Sequence, residues 1–332
     1  MKRTVLLLTT ILITSLFISC GAKPLTDDCG CFMDYDQTIT YASKKNKPIL
    51  VFFTSESDDD ESTLLVSSVL KSTSFKQQIA SKYAVLHIDF SQKAFQKTVA
   101  PENATADQQE LANTYTNIMQ NNYQLAVLFN IGQMPGVYLC TPQGYVVGRL
   151  DKENPITTYD SFEQELASKQ DDLRRFKSLY AATQKGSDIS RVEAVDDLYI
   201  ATDPDFRSFL LPLLKYALKL DPENNSGIAG KLVFAQSEIE ALFAFSQGDV
   251  ETAVKQYLVA ADNDFVKAEE KQECFFKAAY LVAYSESDDY EGILSYLETA
   301  YNLAPESSKA SAIKTAMEYF EAKVNENSGD EE

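Results

Sequence analysis

"KPILVFFTSESDDDESTLLVSSVL", residues 47–70, decides the fold. Ile49 to Phe53 form a continuous apolar run of strand length, the pattern of a strand covered on both faces. Leu65, Val66, Val69 and Leu70 then fall on one helical stripe. Between strand and helix stand four consecutive acids, Asp58, Asp59, Asp60 and Glu61. Carboxylates at such a turn can bind a metal, act as acids and bases, dock a partner, or start a helix. Helix capping is the favoured reading. The first backbone N–H groups of a helix lack partners, Ser57-x-x-Asp60 and Asp58-x-x-Glu61 both have capping-box spacing, and acids in a first turn gain from the helix dipole. A calcium loop would need glycine-containing spacing, and no second carboxylate or base is placed by the sequence for catalysis.

On either side, "YDQTITYASKKN" reads as a helix with a basic last turn, stopped by Pro48. "AVLHIDF" is a second buried strand, followed by the polar helical stretch "ADQQELANTYTNIMQNN". "MPGVYLCTPQGYVVGRL" reads as a hairpin turning at Thr141 to Gly144. A helix over about 158–182 closes the first region, and "TQKGSDIS" reads as a linker. Beyond it the pattern is wholly helical. "ALFAFSQGDVETAVKQYLVAAD" is helix, tight turn at Gly248-Asp249, helix, and "AYLVAYSESDDYEGILSYLETAYNLAP" repeats that layout. Ala253 and Ala260 flank Tyr257 as Ile293 and Ala300 flank Leu297, small side chains that let helices approach closely.

The chain carries 332 residues and a net charge of −19. That acidity excludes nucleic acid as a partner, because phosphate binding needs a basic surface, and it opposes adsorption to anionic lipid. Lys2, Arg3 and the apolar run "VLLLTTILITSLFI" form an export signal too short for a comfortable membrane span. Ending at Ser19-Cys20-Gly21, it resembles a bacterial lipoprotein signal, with Phe17 where that pattern prefers Leu. The resemblance implies that Cys20 becomes the first mature residue and carries the lipid, holding the protein at the cell envelope, facing the periplasm or the exterior. The remaining cysteines, Cys29, Cys31, Cys140 and Cys274, do not read as a disulfide framework.

The order strand–helix–strand–helix–hairpin–helix resembles the thioredoxin fold. "ASKKNKPILVFFTSES" with "SVLKSTSFKQQIASKYAVLHIDFS", and then "YQLAVLFNIGQMPGVYLCTPQGYVV", are similar to exported thioredoxin-like relatives of the thiol:disulfide interchange family. The likeness covers about residues 33–170. It implies that Pro135 is a cis-proline and that the backbone of Met134 faces substrate. It also marks a departure. Counting from "VFFT", the family's two cysteines fall on Asp59 and Ser62. Exchange needs a low-pKa thiolate and a resolving thiol, and neither residue supplies one. The helical half resembles tetratricopeptide-type repeats, without their usual Trp and Leu-Gly pair.

The expectation is an α/β thioredoxin-like domain followed by an all-α helical-repeat domain. Its parts are a signal over 1–20, a tether over 21–32, the thioredoxin-like domain over 33–182, a linker over 183–190, helical repeats over 191–325 and a disordered acidic tail over 326–332. No catalytic set, metal site or cofactor is expected. His87, the single histidine, lies in a strand and reads as structural, and Cys140 and Cys274 read as core residues. The function implied is protein or peptide binding at the membrane through a lipid anchor. The rival is a thiol-disulfide oxidoreductase using Cys29 and Cys31, whose one-residue spacing would give a strained, labile disulfide.

Overall fold

A computed structural model describes residues 24–285 and 287–329. The signal segment and Cys20 lie outside the described residues. The N-terminal region is built on a four-stranded sheet of order β2-β1-β3-β4. Its strands are β1 (Ile49–Thr54), β2 (Ala84–Asp89), β3 (Gly136–Cys140) and β4 (Val146–Arg149). β1 and β2 are parallel, with Phe52 opposite His87, while β3 runs antiparallel to β1 and to β4. This is the thioredoxin-like α/β arrangement expected from the sequence.

All six residues of β1 are buried, and their alternation divides the core. Leu50 and Phe52 point to one face, where Leu65, Val66, Val69, Leu70, Phe75 and Phe162 pack. Ile49, Val51 and Phe53 point to the other, against Ala42, Leu125, Phe129 and Tyr138. The first face is covered by α2 (Asp60–Leu65), a π-helical turn over Val66–Leu70, α3 (Thr73–Gln78) and α6 (Tyr159–Ser168). The second is covered by α1 (Tyr35–Lys45) and α5 (Ala106–Leu128). The short α4 (Gln92–Gln96) follows β2.

Three boundaries differ from the expectation. Residues 24–32 are not a free tether. Thr26 bridges Phe32, Phe32 bridges Leu86 of β2, and Cys31 is buried in the sheet core. The helix expected over 158–182 breaks at Lys169 into α6 and α7 (Gln170–Thr183). Phe176 of α7 belongs to a core shared with α8 (Asp188–Ala201) and α9 (Leu211–Leu220), so the helical region starts at α7 and the supposed linker 183–190 holds the turn of a helix hairpin. The last helix, α14 (Ala310–Gly329), runs into the segment expected to be a disordered tail.

From α7 onward each helix packs on the next, through α10 (Ala229–Ser246), α11 (Val250–Ala261), α12 (Ala268–Tyr284), α13 (Tyr290–Leu303) and α14. Ala253, Ala260 and Ala300 are buried at these contacts. Ion pairs tie alternate helices: Asp196 of α8 to Lys231 of α10, Glu238 of α10 to Lys277 of α12, and Glu273 of α12 to Lys309 beside α14. The helical array grips the sheet region through a 3₁₀ segment, Pro204–Leu210. Phe206 meets Tyr138 edge-on at 5.8 Å and Phe209 meets Phe129 at 4.8 Å. Tyr145 of the hairpin lies 5.5 Å from Tyr180 of α7.

Candidate functional site

The turn after β1 is a closed hydrogen-bond network. Asp59 is the N-cap of α2, with extended backbone and a carboxylate accepting from Ser62 N–H at 2.7 Å. Ser62 is fully buried, and its hydroxyl accepts from Ser55 N–H at 3.1 Å. The two positions where the sequence resemblance would place cysteines thus hold the cap and a buried hydroxyl that closes the turn. The cap sits one residue beyond Asp58 and two beyond Ser57, the starts of the two capping boxes read in the sequence, and Ser57 itself takes a left-handed φ of 75°. Asp58 instead accepts from Gln92 N–H at 2.6 Å, tying the turn to α4. Asp89, at the end of β2, accepts from Glu56 N–H and from Ser91. Asp60 and Glu61 occupy the exposed first turn of α2, suited to its dipole.

The Met134–Pro135 bond is cis, and both residues are half-buried. Pairing of Phe53 with Gly136 sets Pro135 one register step on, beside Thr54 and the start of the acidic turn. Arg149 braces this loop. It donates to the Pro135 carbonyl at 3.2 Å and, through two bonds of 2.9 Å, to Asp151, which also accepts from Val137 N–H. A fork-to-fork pair of this kind holds geometry well. The sequence reading missed it, although Arg149-x-Asp151 behind the hairpin was its local signal.

Cys29 and Cys31 lie on the loop docked against β2, and both are free thiols. Asp27 organises that loop. Its Oδ1 accepts from Cys29 N–H at 2.9 Å and Cys31 N–H at 2.8 Å, and its Oδ2 lies 2.6 Å from His87 Nδ1. Burial alone would raise the Asp27 pKa, but the His87 contact and the two backbone donors together bring it below the usual carboxylate value. On the other side of the ring, His87 Nε2 lies 2.8 Å from the Thr54 hydroxyl. The Asp–His–Thr chain resembles a nucleophile relay, but Thr54 is fully buried in the sheet. A hydroxyl that no substrate reaches is a structural partner.

On balance the surroundings of the two thiols favour the protonated form. Burial and the Asp27 charge push the Cys29 thiol up to about 11, despite Lys71. Cys31, 4% exposed, is pushed higher still by burial and the same carboxylate. Cys29 borders a cavity of ≈ 250 Å³ lined also by Phe32, Tyr41, Phe75 and Tyr83. Cys140 is buried on β3 and raised by burial, and Cys274 is buried in the helical core. Among the described residues, no group of three or more His, Cys, Asp and Glu side chains is arranged to hold a metal ion. None of the described helices is long and apolar enough to cross a membrane.

Three comparisons bear on this chain. Residues 228–326 match a family described as an uncharacterised protein C-terminal domain. An uncharacterized protein of Treponema pallidum (strain Nichols) is 30% identical over 166 residues, which is 47% of this chain and 54% of that relative. The chain thus spans about half the length of the curated relative it matches. Among solved structures, the oxidoreductase DsbH aligns over 48% of this chain and 92% of its own, with 16% identity and a TM-score of 0.31.

Proposed function

We propose that this chain is an exported protein, lipid-anchored through Cys20 at a bacterial cell envelope, whose thioredoxin-like domain has given up thiol exchange and serves with the helical array to bind protein partners. One observation carries the reading. Asp59 and Ser62 fill the helix start where thiol chemistry would sit, and both side chains are committed to hydrogen bonds that build the turn. A thioredoxin-like frame with its cis-proline loop braced and no thiolate at the helix N-terminus retains a surface for polypeptide but lacks the nucleophile. The remaining thiols favour inertness, since Cys29 and Cys31 sit beside Asp27 and are pushed toward the protonated form.

Insulin-disulfide reduction tests the reading. The wild-type chain is expected to add nothing to the rate with dithiothreitol alone. A wild-type rate abolished by Cys29→Ser overturns it in favour of an oxidoreductase using Cys29 and Cys31. The anchor is tested by a fatty-acid probe, whose labelling is expected to vanish in Cys20→Ala and whose persistence would remove the lipid from the account.

A further inference from the structure

Ion pairs join α8 to α10 and α10 to α12. One turn beyond Asp196 on α8 stands Ile200, and one turn beyond Glu238 on α10 stands Leu242. One and two turns beyond Lys277 on α12 stand Tyr280 and Tyr284. These four apolar side chains are 57%, 61%, 61% and 64% exposed. The two tyrosines stack with centroids 6.1 Å apart, and Phe245 of α10 meets Tyr284 edge-on at 5.5 Å, joining the row across the helix gap. Large exposed apolar residues on the successive alternate helices α8, α10 and α12, joined between α10 and α12 by the Phe245–Tyr284 contact, mark an interaction surface.

Charge selects the occupant. Residues 188–326 hold 26 acidic residues against 12 lysines and arginines. Most of the chain's net charge of −19 therefore lies in the helical region that carries this row. A second copy of the chain would bring the same negative field and be repelled, as would an acidic peptide. The ladder lysines are already paired with glutamates and an aspartate, so they offer little to an anion. We propose that the row Ile200, Leu242, Tyr280 and Tyr284 docks a basic, aliphatic-rich peptide segment of a partner protein. Aliphatic side chains fill the row, and lysines or arginines meet the acidic surround and the tyrosine faces. The proposal rests on the protein-binding reading and names its site and partner chemistry.

Fluorescence anisotropy with short labelled peptides tests it on the full chain. A peptide alternating Lys and Leu is expected to bind saturably. A Lys/Ser peptide and a Glu/Leu peptide of the same length are expected to bind at least about tenfold more weakly. Replacing Ile200, Leu242, Tyr280 and Tyr284 by Ser is expected to weaken Lys/Leu binding at least about tenfold. Val259→Ser, at a 59% exposed position on α11 outside the row, is expected to leave it unchanged. If the fourfold variant loses its helical signal, the pairs Ile200→Ser with Leu242→Ser and Tyr280→Ser with Tyr284→Ser are read separately. Equal Lys/Leu binding by wild type and row variants overturns the site while leaving the protein-binding reading intact. Equal binding of Glu/Leu overturns the partner chemistry. A dimer in sedimentation velocity that the row variants lose overturns the choice of occupant. Disulfide reductase activity would instead count against the underlying reading.

Discussion

Asp27→Ala should release the loop that the sequence presents as a tether. The Asp27 carboxylate holds that loop through three bonds, two from the backbone N–H groups of Cys29 and Cys31 and one to His87. A hydrogen bond to a charged group contributes about 1.5–3 kcal/mol. Three bonds sharing one carboxylate do not add, so the loss to the docked loop is about 2–3 kcal/mol. At about 1.4 kcal/mol per tenfold, the open population rises about 30- to 150-fold. Cys31 reports it, because its side chain is 4% exposed and reacts only when the loop lifts. In a Cys29→Ser background, N-ethylmaleimide labelling of the Cys31 peptide is followed by mass spectrometry. Asp27→Ala should raise the rate by that factor. Asp27→Asn should raise it less, because the amide oxygen still accepts from both N–H groups. A rate within about threefold of the parent for Asp27→Ala would refute the idea that Asp27 fastens the loop.

Further outcomes follow from single contacts. Asp59→Ala should cost about 1 kcal/mol and Asp59→Asn a few tenths, read from urea midpoints, since Asn caps nearly as well as Asp; equal losses would show that the charge and not the cap matters. The Cys29 thiol is pushed up to about 11 in the folded chain, whereas an unfolded thiol ionises near ~8.5. The unfolded state therefore loses its proton first, and stability should fall between those values as pH rises; Cys29→Ser should flatten that part of the urea-midpoint profile. At the acid end the sign reverses for Asp27, whose lowered pKa stabilises the fold above its unfolded value and is lost as pH falls through the folded one. Gly230→Ala should destabilise the helical array by about 1–3 kcal/mol, because a Cβ there would lie 1.9 Å from the Phe265 carbonyl oxygen. The helix propensity gained, about 1 kcal/mol, does not offset a backbone clash, and a thermal melt of the helical signal equal to wild type would contradict this.

The strands and the helix start were legible because their signals are local. An unbroken apolar run marks β1, and the acids announce a helix N-terminus, although the cap falls on Asp59. The docked loop was not legible, because Asp27 and His87 are 60 residues apart and no periodicity links them. The break at Lys169 carries no glycine or proline, so α6 and α7 read as one helix. Gly186 and its polar neighbours look like a linker by composition, yet they make a hairpin turn whose helices share a core. The contact of Phe245 with Tyr284 was hidden for the same reason, since residues so far apart in the chain meet only when α10 and α12 stack.

The proposal that a cap and a buried hydroxyl stand in place of a thiol pair is tested most directly by introducing the thiols. Asp59→Cys with Ser62→Cys, in a Cys29→Ser, Cys31→Ser background, places two thiols across the first turn of α2, a spacing at which side chains are neighbours. After mild oxidation, the mass of the intact chain and a thiol titration count what has formed. The account predicts an intramolecular disulfide between the two new cysteines, with Pro135 still beside the turn. Two thiols that stay free, or that join only between chains, would contradict the register on which the functional reading stands.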